Sequence, residues 1–143
     1  MLDINKMIMN AMKSGDKVAS ETYKMIKAKI LEFQKQKNAP AYTEETEVNL
    51  LQKMIKERQD AAKMYVQGNR PDLADKELAE VKVINSLLPS QPTSEEVKSY
   101  LNATYPDGVE KKNMGVVIKE IKTKFLGADG AMVAAMVKSV LKN

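Results

Sequence analysis

The side chains of this sequence that could do chemistry are lysines and carboxylic acids, because it contains neither cysteine nor histidine. Without cysteine there is no disulfide, thiolate metal ligand or thiol nucleophile, and without histidine the commonest general base and metal ligand is missing. Most hydrolytic and redox chemistry is therefore closed to the chain. We expect a protein that is not an enzyme, needs no cofactor and acts by binding.

Positive charge is concentrated at the two ends of the sequence. Residues 1–37 carry eight lysines against four acids, residues 38–110 carry eight lysines or arginines against thirteen acids, and residues 111–143 carry seven lysines against two acids. Basic ends around an acidic middle favour weak attraction of one surface to a polyanion. A solvated lysine face is the commoner cause of such a pattern, and both interpretations stay open.

The basic C-terminal segment holds the candidate nucleic-acid-binding residues. Lysines neutralise phosphates and release counterions, which gives salt-dependent affinity without reading the base sequence. Lys119 and Lys122 lie opposite an apolar stripe, where any helix in water carries charge. Tyr100, Tyr105 and Phe125 are the only rings nearby, so base stacking is not expected. The seven candidates are Lys111, Lys112, Gly115, Lys119, Lys122, Lys124 and Lys138.

Two glycine-containing positions in this segment have more than one interpretation. Gly115 could let a phosphate approach the start of a helix, let two helices pack closely, or relax a first helical turn, and we favour close packing. Gly127, Asp129 and Gly130 superficially resemble a phosphate-binding loop, but no strand precedes them and no lysine-serine/threonine pair follows. We therefore predict a turn there, with Asp129 capping the next helix.

A second group of charged residues surrounds the predicted turn between the third and fourth helices. We expect it to form salt links that stabilise this hairpin, or a surface that docks a protein partner. Glu77 and Glu80 are predicted on an exposed face beside lysines, which does not favour acid/base catalysis. Asp72, Asp75 and Glu77 could offer oxygen ligands, but they lack the loop and spacing of a calcium motif, and we predict no metal site. The candidate docking residues are Arg58, Arg70, Asp72, Lys76 and Glu77.

Helices must position these residues, because helix formers dominate the sequence and no strict apolar alternation favours strands. Pro89-Ser90-Gln91-Pro92 is the strongest break, since two prolines this close together cannot continue a helix. We therefore predict an all-α fold, with a four-helix N-terminal domain over residues 1–90 and a compact three-helix C-terminal domain over residues 91–143. The predicted helices cover about residues 3–13, 17–37, 43–67, 71–88, 93–104, 114–125 and 130–141.

Apolar residues spaced by three and four predict one buried stripe on each helix. Val18, Ile26 and Ile30 belong to this stripe in the second helix, and Leu51 and Val66 belong to it in the third. The ten methionines are expected mainly to fill the core, with an adaptable groove for a partner helix as the alternative.

The sequence predicts no association with a membrane. No apolar run approaches the roughly 20 residues that span a bilayer. The N-terminal stretch from Leu2 to Met12 is broken by polar residues, so it has the pattern of neither a transmembrane helix nor a signal peptide. We expect a cytoplasmic protein.

Several short groups of residues occur in a fixed order along almost the whole chain. They are Lys56 and Arg58; Arg70-Pro71-Asp72-Leu73 with Lys76-Glu77 and Glu80; Leu87-Leu88-Pro89 with Gln91 and Glu95-Glu96; and Met114-Gly115, Lys124 and Gly127-Ala128-Asp129-Gly130. Their order and spacing together are specific, although no single group is diagnostic. With these groups the chain resembles the YqeY-like family (GatB/YqeY), whose C-terminal domain is shared with the B subunit of the tRNA-dependent glutamyl/aspartyl amidotransferase.

The resemblance implies a two-part all-helical fold whose C-terminal three helices correspond to the tail domain of that B subunit. In the amidotransferase the tail contacts tRNA, while the transamidation chemistry lies elsewhere in the larger protein. The resemblance therefore implies a non-catalytic, tRNA-associated binding module. Two alternatives stay open: a protein-interaction adaptor, and an accessory component of glutamine-dependent amide transfer, a carbon-nitrogen ligase activity with glutamine as the amido-N-donor.

Overall fold

The computed structural model describes residues 1–142, and within them the regular secondary structure is helical apart from an isolated β-bridge between Val109 and Leu141. The prediction of an all-α fold is confirmed. The helices in this range are α1 (Ile4–Ser14), α2 (Lys17–Lys35), α3 (Glu44–Gln67), α4 (Pro71–Asn85), α5 (Ser94–Thr104), α6 (Met114–Lys124) and α7 (Gly130–Ser139). A short 3-10 turn, Lys111–Asn113, leads directly into α6. Within residues 1–142, the helices are too short or too polar to span a bilayer.

Side-chain caps begin five of these helices. In each, a side-chain oxygen accepts a hydrogen bond from the backbone N–H three residues later, at 3.1 to 3.3 Å. Such a cap contributes about 0.5–2 kcal/mol, which explains why these predicted helix starts are confirmed. The capping residues are Asp3, Asp16, Thr43, Thr93 and Asp129.

The end of α4 differs from its prediction. The helix ends at Asn85, before the predicted end at about residue 88. The amides of Leu87 and Leu88 bond instead to carbonyls three residues back, which is the tighter 3-10 pattern. Pro89 follows, and a proline disfavours the α conformation in the residue before it. Leu88 packs against the core of its unit although it lies beyond the end of the helix.

Internal contacts divide the chain into two compact units, Met1–Leu88 and the described residues from Pro89 onward. The N-terminal unit contains α1 to α4, with α3 packed along α4 and α1 along α2. The division lies close to the predicted domain boundary, and the organisation into two domains stays a prediction. The core of the N-terminal unit consists of Ile26, Ile30, Leu51, Met54 and Ile84.

The C-terminal unit contains α5 to α7 around its own apolar core. At the β-bridge, the Val109 amide donates to the Val140 carbonyl at 2.9 Å and the Lys142 amide donates to the Val109 carbonyl at 2.8 Å. Gly108 precedes this bridge with a φ of +91°, and a Cβ there would lie 2.8 Å from the Val140 oxygen. Only glycine therefore fits at this position. The buried core residues are Val97, Leu101, Val109, Val117, Ile121, Ala128, Val133 and Val137.

Two valines predicted on buried stripes are exposed instead. Val18 is 45% exposed and Val66 is 65% exposed, so both predictions are wrong. Val18 lies in the first turn of α2 and Val66 in the last turn of α3. Helical spacing predicts which side of a helix is apolar, but a terminal turn is buried only where a neighbouring helix reaches it.

Candidate functional site

The first candidate site lies on the 3-10 turn and α6. Lys112, Gly115, Lys119 and Lys122 follow one another at spacings of three, four and three residues. Such spacings put side chains on one face of a helix, because one turn takes about 3.6 residues. All four residues are exposed, on the side of α6 away from the buried Val117. We call the surface formed by these four residues the lysine face.

Three further candidates lie beside or away from the lysine face. Lys111 is exposed in the 3-10 turn. Lys124 points to a different side of α6, where its Nζ lies 5.0 Å from the centre of the Tyr100 ring. Lys138 lies in the last turn of α7, where the negative end of the helix dipole favours a positive charge. The structure therefore gathers only part of the predicted set on one face.

The ammonium groups of the lysine face are largely free of ion pairs. Lys112 Nζ lies 3.2 Å from Glu110 Oε2, with both side chains exposed. An exposed pair of this kind contributes little, and salt screens it further. Among residues 1–142, neither Lys119 nor Lys122 forms an ion pair with a carboxylate. These two charges are available to an anionic partner.

Gly115 lies in the middle of the lysine face and is not needed for packing. A Cβ built at this position would meet no heavy atom within 4 Å outside the adjoining backbone. Our preference for close helix packing at Gly115 is therefore wrong, because nothing approaches closely enough to exclude a methyl group. Two interpretations are left, a relaxed first turn and the close approach of a phosphate.

The turn between α6 and α7 is the predicted capped turn and not a phosphate-binding loop. Gly127 takes a φ of +84°, and Asp129 Oδ2 accepts the Met132 amide at 3.2 Å. The element before this turn is the helix α6, not a strand. Lys122 Nζ lies 3.2 Å from where a Cβ of Gly130 would be, so its ammonium sits beside the first turn of α7. The start of α7 thus borders the lysine face.

Two tyrosine hydroxyls near α6 donate to the same carboxylate. Tyr100 Oη donates to Glu120 Oε1 at 2.9 Å, and Tyr105 Oη donates to Glu120 Oε2. These hydrogen bonds, and then burial, raise the pKa of both tyrosines above the ordinary value of 10.0. Sequence reasoning missed this cluster, which joins α5 to α6. Two features of the sequence could have indicated it. Glu120 is one of only two acids after residue 110, and it lies next to the apolar stripe of its helix.

Arg58, a predicted docking residue, lies inside the N-terminal unit. Its Nε donates to Glu80 Oε2 at 3.0 Å, and its terminal nitrogens donate to the Met54 carbonyl oxygen at 3.2 Å and the Met25 sulfur at 3.4 Å. The Arg58 and Glu80 side chains are only 12% and 10% exposed. The guanidinium is therefore occupied by contacts within the unit, and the predicted salt link that stabilises the hairpin is present here.

The exposed face predicted for Glu80 is wrong. Glu80 lies four residues before the fully buried Ile84, so both side chains lie on the same side of α4. The carboxylate can be buried because Arg58 supplies the opposite charge and a hydrogen bond. A prediction from apolar periodicity places every glutamate on the solvent side of its helix. It could not identify Arg58 as the partner of Glu80, because the two residues are 22 positions apart and lie on different helices.

The other docking candidates lie on α4 and just before it. Arg70 donates two hydrogen bonds to the carboxylate of Asp72, at 3.2 and 3.1 Å, and these bonds lower the pKa of Asp72. Lys76 is exposed and Glu77 is half-buried. Docking of a partner at these residues stays a prediction. Within residues 1–142 no group of three acidic side chains converges in a way that could hold a metal ion.

The α3–α4 hairpin also carries apolar side chains on its surface. Val66 and Leu78 line a shallow groove between the two helices, together with the lysines Lys56 and Lys63. Leu78 is 48% exposed, although leucine belongs to the residues most often buried. The groove therefore combines exposed apolar side chains with lysines, whereas the lysine face has no aromatic side chain.

The methionines divide between core and surface. Met54 is buried in the core of the N-terminal unit, as predicted. Met9, Met12 and Met64 are each more than half exposed, so core filling is wrong for them. A methionine side chain is flexible and occurs both in cores and on surfaces. The presence of a methionine in the sequence therefore does not indicate whether it is buried.

Two comparisons with known proteins concern most or all of the chain. A family model described as Yqey-like protein matches residues 2–141. An uncharacterized protein of Schizosaccharomyces pombe is 29% identical to this chain over 91 residues, which cover 64% of this chain and 73% of that protein. The family match spans both compact units and includes every candidate residue from Arg58 to Lys138.

Proposed function

This chain belongs to the YqeY-like family, and on that premise we propose that it is a non-catalytic helical module that associates with tRNA. The lysine face and Lys111 contact RNA phosphates, and the N-terminal unit positions the module. The resemblance of the C-terminal helices to the tail domain of the tRNA-dependent amidotransferase supports tRNA as the ligand. The cytoplasm is the proposed location.

The exposed lysine face is the observation that carries this proposal. It holds Lys112, Lys119 and Lys122 on one side of a continuous 3-10 turn and helix. The acids of the same segment are engaged elsewhere, since Glu120 accepts two tyrosine hydroxyls and Asp129 caps α7. A phosphate backbone approaching Lys119 and Lys122 would therefore meet positive charge without a free carboxylate between them.

The polar side chains of the C-terminal unit support binding rather than catalysis. The hydroxyls of Tyr100 and Tyr105 both donate to Glu120, so the carboxylate and the two hydroxyl protons are occupied by contacts within the unit. An accessory role in amide transfer has the family resemblance as its support. Amide transfer from glutamine by the purified chain alone would contradict a non-catalytic function.

Filter binding of the full chain to tRNA over a salt series tests the proposal. The lysine variant replaces four exposed lysines by alanine: Lys111, Lys112, Lys119 and Lys122. The control variant removes the same charge from exposed positions of α1 and α2: Lys6, Lys13, Lys17 and Lys24. We expect the parent chain to bind tRNA at low salt, with an affinity that falls steeply as salt rises, because counterions are released from the phosphates.

The lysine variant and the control variant are expected to differ in their affinity for tRNA. The lysine variant should bind about ten-fold or more weakly, and the slope of its salt dependence should be flatter by about one for each phosphate that is no longer neutralised. The control variant should stay close to the parent. Absence of binding at low salt would reject the association with tRNA, and equal losses of affinity in the two variants would reject the lysine face.

A protein-interaction adaptor is the second candidate function. The exposed Val66 and Leu78 on the α3–α4 hairpin favour it, because apolar side chains rimmed by charged ones are typical of docking surfaces. The tagged chain should then retain a protein partner after nuclease treatment, and the combined charge reversals Arg70→Glu and Lys76→Glu should release it. Loss of all bound material on nuclease treatment alone would favour the RNA module.

A further inference from the structure

The lysine face offers positive charge but no aromatic ring. Gly115 leaves bare backbone at its centre, and the adjoining Val116 is 70% exposed. Proteins that hold unpaired nucleotides combine a positive groove with free rings on which successive bases stack. The lysine face has the first of these features without the second.

The aromatic rings of the C-terminal unit are engaged in contacts within that unit. The hydroxyls of Tyr100 and Tyr105 both donate to Glu120. The Tyr100 and Phe125 rings pack edge to face, with centres 5.9 Å apart and an interplanar angle of 89°. Lys124 Nζ lies over both of these rings, at 5.0 and 5.8 Å from their centres. A base that stacked on the Tyr100 or Phe125 face covered by Lys124 would have to displace that ammonium.

We propose that the lysine face binds the sugar-phosphate backbone of double-stranded RNA, with the closest approach at Gly115. This inference rests on the proposed function, association with RNA, and specifies the form of RNA that the surface takes. A paired stem is recognised mainly through its shape, its phosphates and its 2′-hydroxyls. A surface with lysines and no free aromatic ring can make these contacts, but it cannot stack the bases of an unpaired strand.

The rigidity of both partners favours a paired stem. Lys112, Lys119 and Lys122 are mounted on one continuous helical segment, about 15 Å long between the first and the last. A duplex presents phosphates in a regular array, so little conformational freedom is lost when the two surfaces meet. An unpaired strand would have to be ordered on the surface, and no stacking would offset that ordering.

Gly115 and Val116 shape the centre of the contact. Because Gly115 has no side chain and open space beside it, a ribose or phosphate can reach the helix between Lys112 and Lys119. The exposed Val116 then provides an apolar contact to the edge of a sugar. Lysines on either side neutralise the phosphates that flank this point.

Fluorescence anisotropy of the full chain with labelled RNA tests the proposal. The probes are an RNA duplex of about 16 base pairs and each of its strands alone, chosen so that neither strand pairs with itself. At the same low salt the duplex should bind about ten-fold or more tightly than either strand. Equal or tighter binding of the strands would overturn the inference and leave association with RNA intact. No binding of duplex, strands or tRNA would overturn both.

A competition experiment distinguishes recognition of regularly spaced phosphates from general attraction to an acidic protein surface. Unlabelled duplex should displace the labelled duplex at far lower total charge than polyglutamate does, because the spacing of the phosphates contributes as well as their charge. Displacement by polyglutamate at the same total charge would overturn recognition of the RNA backbone and indicate an acidic protein partner.

Gly115→Ala tests the point of closest approach. The melting temperature should be unchanged or higher, because the new methyl group meets open space and alanine favours helix. Duplex affinity should nevertheless fall about three-fold or more, because the methyl group holds the backbone away. Lys98→Ala, at an exposed position of α5, is the control and should stay within about two-fold of the parent. Unchanged duplex affinity in Gly115→Ala would overturn the close approach.

Discussion

The two compact units differ in whether they bury polar and charged side chains. The buried polar and charged residues within the described range, Ser20, Thr22, Glu47 and Glu80, all belong to the N-terminal unit. The core of the C-terminal unit is apolar throughout, and the lysines of its lysine face are exposed. The Glu80 charge is buried and paired, whereas Lys119 and Lys122 are exposed and form no ion pair within residues 1–142. Composition does not distinguish the two, but the neighbouring residues do.

The buried carboxylates of the N-terminal unit join segments that are distant in the chain. Glu80 on α4 meets Arg58 on α3. Glu47 on α3 accepts the Leu2 amide at 3.0 Å and the Tyr42 hydroxyl at 2.8 Å. A buried carboxylate is stable only when such partners replace its former water shell. These contacts therefore determine where the N-terminal segment and the hairpin pack.

The largest effect is expected from breaking the buried ion pair. Arg58→Ala leaves the Glu80 carboxylate buried without its partner, which should lower the free energy of unfolding by about 3–5 kcal/mol. Arg70→Ala breaks the exposed pair with Asp72 and should have a much smaller effect, because solvent screens that pair. Urea unfolding followed by circular dichroism measures both. Equal losses of stability would contradict the contrast between buried and exposed charge.

Alanine substitutions at two glycines of the C-terminal unit should change the free energy of unfolding in opposite directions. Gly108→Ala places a methyl group 2.8 Å from the Val140 oxygen at a positive φ, and should lower the free energy of unfolding by about 1–3 kcal/mol. Gly115→Ala meets open space and should raise it by about 0.5–1 kcal/mol. Thermal unfolding distinguishes the two. Destabilisation by both would mean that Gly115 has a structural role after all.

Alkaline pH should weaken both units through tyrosines bonded to carboxylates. Burial and the hydrogen bond to Glu47 raise the pKa of Tyr42 above 10.0, and hydrogen bonds to Glu120 raise the pKa of Tyr100 and Tyr105. When folding raises a pKa, the stabilisation is complete below the unfolded value, about 10, and is lost as the pH rises through the folded value. Unfolding between about pH 9 and pH 12 should show this loss. Tyr42→Phe should make it shallower, and an unchanged slope would contradict this role of Tyr42.

The smallest effect on stability is expected from the lysine face. Lys119→Ala with Lys122→Ala should change the free energy of unfolding by less than about 0.5 kcal/mol, because both side chains are exposed and neither forms an ion pair within residues 1–142. Urea unfolding measures this as well. A loss of stability comparable to that of Arg58→Ala would mean that these lysines organise the fold.

The parts of the fold that depend on local signals could be predicted from the sequence. A capping side chain acts on an amide three residues away, so Asp16, Thr43 and Thr93 indicate helix starts without knowledge of the rest of the chain. Prolines act on the residue before them in the same way. The all-α fold and the helix starts follow from such signals.

The environment of a single side chain could not be predicted in this way. Val66 lies on the apolar side of α3 but in a terminal turn, and Glu80 is buried because an arginine from another helix pairs with it. Close packing is the sequence-based expectation at Gly115, yet its neighbours leave open space. For the candidate site, the spacing of Lys119 and Lys122 predicts a shared face. The carboxylate that binds two tyrosines depends on contacts between helices, which spacing does not contain.

We propose that the exposed lysines of the C-terminal unit, and not the positive charge of the chain as a whole, bind tRNA. The most direct test is the ratio of the tRNA dissociation constants of the lysine variant and the control variant at one low salt concentration. Both variants have the same reduction in charge, so non-specific attraction falls equally. We expect the lysine variant to bind about ten-fold or more weakly than the control variant. Equal dissociation constants would mean that the lysine face is not the tRNA-binding surface.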